Sequence, residues 1–172
     1  MAMSLLTYKE ARPWAKAIRD EVLERQMPPF DPIKGVGDFR DDPSLSEPEL
    51  ELFVSWVEGG APEGEPDLPP TVPDLKPATR MAAGKTLQIQ ESLVLRQPIS
   101  VYGVVVDGPL ELAARLPNET VQRLIWIREF HAQWNRPYFF RSPVLLPKGT
   151  KVFVYSRQNA TAGLITTGPP ES

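Results

Sequence analysis

The apolar residues of this 172-residue chain change their period once, and a run of prolines marks the change. Before it, apolar positions recur every three to four residues, as one face of a helix requires. After Thr86 they recur every second residue, as a half-buried strand requires. Seven of the 20 prolines fall between Pro62 and Pro98. Such a stretch favours extended, polyproline-like backbone. A chain of this pattern is expected to be α+β: a short helical N-terminal part over 1–65, a Pro-rich linker over 66–85, and an antiparallel, jelly-roll-like β-sandwich over 86–172.

Two helices are expected in the first part. Thr7 and Glu10 have capping-box spacing, and Trp14, Ile18 and Val22 recur on one face, predicting a helix over 7–26. Met27-Pro28-Pro29 ends it. Ser46 and Glu49 repeat the capping-box spacing, and Leu50, Phe53, Val54 and Val57 give an amphipathic helix with Leu52 and Trp56 beside it. Gly59-Gly60 supplies its stop. The segment 30–45, with Pro32, Gly35, Gly37 and Pro43, reads as a loop between them. Six strand candidates follow: Leu87–Gln90, Ile99–Val106, Leu110–Leu116, Thr120–Phe130, Tyr138–Leu146 and Thr150–Arg157.

Composition narrows function more than fold. The chain has no cysteine and one histidine, His131. Thiolate metal sites, disulfides, covalent haem attachment and cysteine nucleophiles are all excluded, as is any site built from several imidazoles. Net charge is −3, and no basic cluster that could track phosphates is visible. No apolar run approaches the ~18 residues of a membrane span, and the N-terminus lacks the basic and apolar regions of a signal peptide. No nucleophile elbow, S-x-x-K or phosphate-cradling glycine motif occurs.

Single residues read mostly as structural. His131 has no second histidine with which to hold a metal. Asp31, Asp38, Asp41 and Asp42 crowd one loop, but without EF-hand spacing. Asn118-Glu119-Thr120 and Asn159-Ala160-Thr161 match a three-residue glycosylation pattern that arises readily by chance. Aromatics in the second half, including Trp126, Trp134, Tyr138, Phe139 and Phe140, suit either a core or a protein interface.

The first 70 residues resemble the distal part of a bacterial cytochrome c-like domain. The resemblance is carried by Met3–Tyr8, Ala11–Ala15, Arg25–Pro29 and Ser44–Ser46, leading to Val54–Gly64. In that family a C-x-x-C-H haem motif lies just upstream, and the methionine matching Met27 is the distal haem ligand. The last 85 residues resemble the C-terminal β-sandwich half of copper type II, ascorbate-dependent monooxygenase-like proteins. Leu116-Pro117-Asn118, Phe130 with Trp134–Tyr138, and Leu146–Val152 carry it. The copper-binding stretch of that family aligns with Gly103–Gly108, and its ligand positions fall on Gly103 and Val105, which cannot bind copper.

These resemblances imply a protein that kept the scaffold of a redox enzyme without its cofactor ligands. The expectation is a non-catalytic, cofactor-free partner-binding or scaffold subunit of a larger redox assembly, respiratory or photosynthetic, on the periplasmic side. Its partners would be other protein subunits, with association to a membrane complex allowed and no nucleic acid involved. Met27 would bind haem only if the haem came from outside this chain. The expected interface residues are Trp14, Phe53, Trp56, Trp126, Trp134 and Tyr138. The alternative is a fragment of a periplasmic cytochrome c/copper monooxygenase-like electron-transfer enzyme whose haem motif lies upstream.

Overall fold

The computed structural model describes residues 5–64 and 85–166, so the Pro-rich connection, apart from Lys85, lies outside the described residues. The chain forms two compact units. One takes the described residues of Met1–Pro29 and Pro43–Thr79, the other those of Phe30–Asp42 and Arg80–Ser172.

The first unit is helical. In place of one helix over 7–26 it has α1 (Tyr8–Ala11), a 3-10 turn at Arg12–Trp14, and α2 (Ala15–Leu23). Pro13 is the cause: it has no N–H to donate into the preceding turn. The capping box at the start is formed: the Glu10 N–H donates to Thr7 Oγ1 at 3.3 Å, and the Thr7 N–H donates to Glu10 Oε2 at 3.1 Å. The second helix, α3 (Glu47–Glu58), opens with the Ser46 N–H donating to Glu49 Oε2 at 2.7 Å. Both long helices end in the same way. The Gln26 N–H reaches the Glu21 carbonyl and the Arg25 N–H that of Val22; likewise Ala61 reaches Trp56 and Gly60 reaches Val57. This is the Schellman arrangement, with Arg25 and Gly60 at positive φ. The unit has a small core of Ala15, Val57 and Ala61, on which Phe53 and Trp56 pack.

The second unit is an antiparallel sandwich with eight strands among the described residues: β1 (Thr86–Ile89), β2 (Ser92–Val94), β3 (Ile99–Val106), β4 (Leu110–Arg115), β5 (Val121–Ile127), β6 (Tyr138–Leu146), β7 (Lys151–Tyr155) and β8 (Ala162–Ile165). One sheet has the order β1-β8-β3-β6 and the other β2-β7-β4-β5. β1 pairs with β8, β2 with β7, β3 with β6 and β4 with β5, as though one long hairpin were rolled into two layers. Leu112, Leu124, Ile125, Ile127, Leu146 and Leu164 fill the space between the layers. Two strands have no counterpart among the six candidates. β2 is three residues long, too short to establish a period, and β8 is buried at every position, so it does not alternate.

Residues 30–42 belong to this sandwich and not, as the sequence reading places them, to the helical part. They form a strap along the side where β5 and β6 are the sheet edges. The Ile33 N–H donates to the Trp126 carbonyl at 2.8 Å, on β5. On β6, the Arg40 N–H donates to the Phe139 carbonyl at 2.9 Å and the Arg141 N–H to the Asp38 carbonyl at 2.8 Å. Phe39 is buried, with its ring stacked on Phe140 at 5.2 Å and tilted on Tyr138 at 5.9 Å. Gly37, at φ +79°, lets the strap lie this close: a Cβ there would stand 2.6 Å from the Leu124 carbonyl oxygen. Apolar rings on the strap therefore decide where 30–42 folds, and sheet edges that would otherwise show unpaired groups are partly covered.

Candidate interaction surface

The outer face of the β2-β7-β4-β5 sheet is created by one irregularity in β5. Leu112 on β4 lies opposite Ile125, but Ala113 lies opposite Arg123, so Leu124 is an extra residue. Leu124 and Ile125 both enter the core. The bulge shifts the alternation, and Arg123 and Trp126, three apart in sequence, come to share the outer face. Three rows cross the sheet there. Tyr155, Glu111 and Trp126 form one. Ser92, Phe153, Ala113 and Arg123 form the next, and Val94, Lys151, Arg115 and Val121 the third.

This face is apolar and cationic together. Tyr155 is 61% exposed, Val94 56% and Val121 52%, while Phe153 and Trp126 are half-buried. The Phe153 and Tyr155 rings meet edge to face at 5.0 Å. The Arg128 guanidinium lies 4.3 Å from the Trp126 ring centre and that of Arg123 5.8 Å. Arg123 Nε donates to Glu111 Oε1 at 2.7 Å. Arg115 reaches Glu119 only at 3.9 Å, and among the described residues Lys151 and Arg128 form no ion pair. A stretch rich in Trp, Tyr and Arg, with unpaired cations around it, has the composition of a protein-binding hot spot.

A second polar cluster lies where the strap meets the β5–β6 connection. The Asp31 carboxylate is wholly buried and accepts twice from His131, from Nδ1 at 2.8 Å and from the backbone N–H at 3.1 Å. The Trp134 ring lies 4.0 Å from the imidazole. Arg136 covers Phe30 at 5.7 Å. The Tyr138 hydroxyl is buried with no hydrogen-bond partner. Burial, and secondarily the nearby Asp31 charge, push its pKa above the ordinary phenol range, against a smaller lowering by Arg136. A carboxylate holding one nitrogen of an imidazole can orient it for proton transfer. No group of three or more His, Asp or Glu side chains suited to a metal stands together among the described residues. The pair fastens the strap to the sandwich.

The structure distributes the expected interface residues unevenly. Trp14 is exposed on the helical unit, 46%. Phe53 and Trp56 are half-buried, with ring centres 5.6 Å apart, and the Trp56 indole N–H donates to the Pro62 carbonyl at 2.9 Å. Trp126 lies on the edge strand β5 with the Arg123 and Arg128 guanidinium groups by its ring, and Trp134 is half-buried on His131. Tyr138, 3% exposed, is a core residue. Met27 is exposed. The four loop aspartates do not converge on one point: Asp31 binds His131, while Asp38 accepts from Arg141 Nε at 3.2 Å. At Gly103 no ligating side chain would fit, since a Cβ there would stand 2.5 Å from the Tyr138 carbonyl oxygen. Reading the sequence alone did not single out Arg123, Arg128, Lys151, Phe153 or Tyr155. The alternation Lys151-Val152-Phe153-Val154-Tyr155 contained the signal for the last three, because Val152 faces the core.

No helix among the described residues is long and apolar enough to cross a membrane. No protein-family model matches the chain, no curated protein matches it in sequence, and no solved structure matches it in fold.

Proposed function

We propose that this chain is a non-catalytic, partner-binding or scaffold subunit, and that the outer face of the β2-β7-β4-β5 sheet is where it docks. One observation carries the reading: Tyr155, Val94 and Val121 lie exposed on the sheet face that also holds Trp126 and Phe153, beside Arg128 and Lys151, which form no ion pair among the described residues. Uncovered apolar area of this kind marks interaction sites on soluble domains. The jelly-roll-like strand order supplies a rigid platform beneath it. A place as an accessory protein in a larger redox assembly, on the periplasmic side, rests on the resemblance in sequence alone. The copper-ligand positions of the resembling family fall on Gly103 and Val105, which fits a subunit retained for its surface.

The test is site-specific photo-cross-linking in the native source, with the probe at Tyr155 and a control probe at Asn159. Capture of a discrete polypeptide from position 155, lost in Trp126→Ala, is the expected result. If position 155 captures no protein, neither this chain nor another, the reading fails.

A further inference from the structure

Two of the cations on the outer face of the β2-β7-β4-β5 sheet are already engaged. Arg123 Nε donates to Glu111 Oε1 at 2.7 Å, and Arg115 reaches Glu119 at 3.9 Å. Arg128 and Lys151 are exposed and form no ion pair among the described residues. The Arg128 guanidinium is nonetheless held, 4.3 Å from the Trp126 ring centre. Stacking on an aromatic ring orients the planar fork before any partner arrives, and a fork can take a carboxylate through two parallel bonds. The two open cations mark the ends of a diagonal. Trp126 is on β5 in the row of Glu111 and Tyr155, and Lys151 is on β7 in the row of Arg115 and Val121. Those rows lie four residues or about 14 Å apart, and two strand spacings add about 10 Å across, so Trp126 and Lys151 stand about 17 Å apart. The diagonal crosses β4 at Ala113, which lies opposite Phe153. Its middle is therefore apolar. Approach is from the face, because the strap holds the outer edge of β5, where the Ile33 N–H donates to the Trp126 carbonyl at 2.8 Å. A partner strand cannot add to that edge at this position.

We propose that this face receives an extended segment of a partner protein in which two acidic side chains flank an apolar one, the first carboxylate on Arg128 and the second on Lys151. The inference rests on the reading of that sheet face as a docking surface, and it names the chemistry of what docks. Charge complementarity identifies the occupant: each open cation takes an anion, and the stretch between them offers Ala113 and the Phe153 ring. The dimensions agree. An extended segment covers about 17 Å in about five residues, and the flexible arm of Lys151 takes up the mismatch in register. The apolar side chain settles on Phe153, which the Tyr155 ring meets edge to face at 5.0 Å. A basic segment would set like charge against Arg128 and Lys151, so the same two residues that attract an acidic partner reject a basic one.

Selection of a displayed random-peptide library on the full chain tests this. Acidic residues are expected to be enriched on both sides of an apolar one. Against the chain carrying Arg128→Glu, the preference at one end is expected to turn to basic residues. The best peptide, made synthetically and followed by fluorescence anisotropy, binds less tightly as salt is added. Arg128→Glu and Lys151→Glu each weaken it about tenfold or more. Tyr155→Ala weakens it at least about fivefold. All three positions are exposed, and circular dichroism confirms that the variants fold. Selected peptides without an acidic preference, or an acidic peptide whose binding ignores both charge reversals, overturn the proposal. A selection that yields no binder, or sedimentation that finds a dimer dissociated by Tyr155→Ala, overturns it as well. Non-acidic peptides that lose their binding in Tyr155→Ala overturn it while leaving the docking face in place.

Discussion

His131 Nδ1 stands 2.8 Å from Asp31 Oδ1, joining residues 100 positions apart through a carboxylate that no solvent reaches. A buried carboxylate needs its partners, because an unpaired buried charge is expensive. His131→Ala removes the ring but leaves the backbone N–H, which still donates at 3.1 Å. The expected loss is about 2–4 kcal/mol of sandwich stability. Asp31→Asn, which removes the charge and keeps an acceptor, is expected to cost less than His131→Ala. Urea unfolding of the full chain followed by tryptophan fluorescence measures both, and equal losses would show that charge is not the issue.

The neighbouring Tyr138 hydroxyl is a different case, since it is buried and bonds to nothing. Removing a polar group that has no partner can be neutral or favourable, so Tyr138→Phe is expected to leave stability unchanged or raise it by up to about 1 kcal/mol. The same burial predicts a pH effect. The folded phenol titrates above its ordinary value of 10.0. Above that pH the unfolded chain gives up the proton that the folded chain keeps, so this group makes stability fall as pH rises beyond about 10. Tyr138→Phe should flatten that alkaline decline. An identical decline in the variant would show that Tyr138 does not cause it.

Local signals were legible and distant ones were not. The capping boxes at Thr7 and Ser46 need only a three-residue spacing, and both form. The sandwich follows from period-2 alternation, which survives wherever a strand has one wet face. Three features lacked such a signal. The strap at 30–42 makes its bonds with residues roughly 100 positions away, so its prolines and glycines read only as a loop. The Trp126 face depends on the bulge at Leu124, which breaks the alternation that would have put Arg123 and Trp126 on opposite faces. Pro13 was visible, but its placement inside the helix rather than at its start depends on where the cap forms, at Thr7.

Arg25 offers a test of the helical unit by itself. It ends α2 with φ +58°, where only glycine is free of strain. Its N–H and that of Gln26 close the last turn, so the conformation is held by the hydrogen bonds and not by the side chain. Arg25→Gly removes the Cβ clash and keeps both bonds. It is expected to stabilise the helical unit by about 0.5–1 kcal/mol, against a small loss from the greater freedom of unfolded glycine. Hydrogen exchange at the amides of α2 reads the effect locally. Faster exchange in the variant would mean that Arg25 contributes contacts that outweigh its backbone strain.

Phe39 separates sequence neighbourhood from structural membership. It lies between two helices in the sequence, yet its ring is 4% exposed and packs with Phe30, Tyr138 and Phe140. Truncating a buried phenylalanine removes its transfer energy and leaves a cavity, together about 3–5 kcal/mol. If the strap belongs to the sandwich, Phe39→Ala lowers the stability of the β-unit by that amount and leaves the amides of α2 and α3 exchanging as before. Trp14→Ala, at an exposed position, is expected to change sandwich stability by no more than about 0.5 kcal/mol. Residue-resolved hydrogen exchange in denaturant distinguishes the two units in one sample. Loss of protection in α3 without loss in β5 and β6 would return Phe39 to the helical part, and the strap would have to be redrawn.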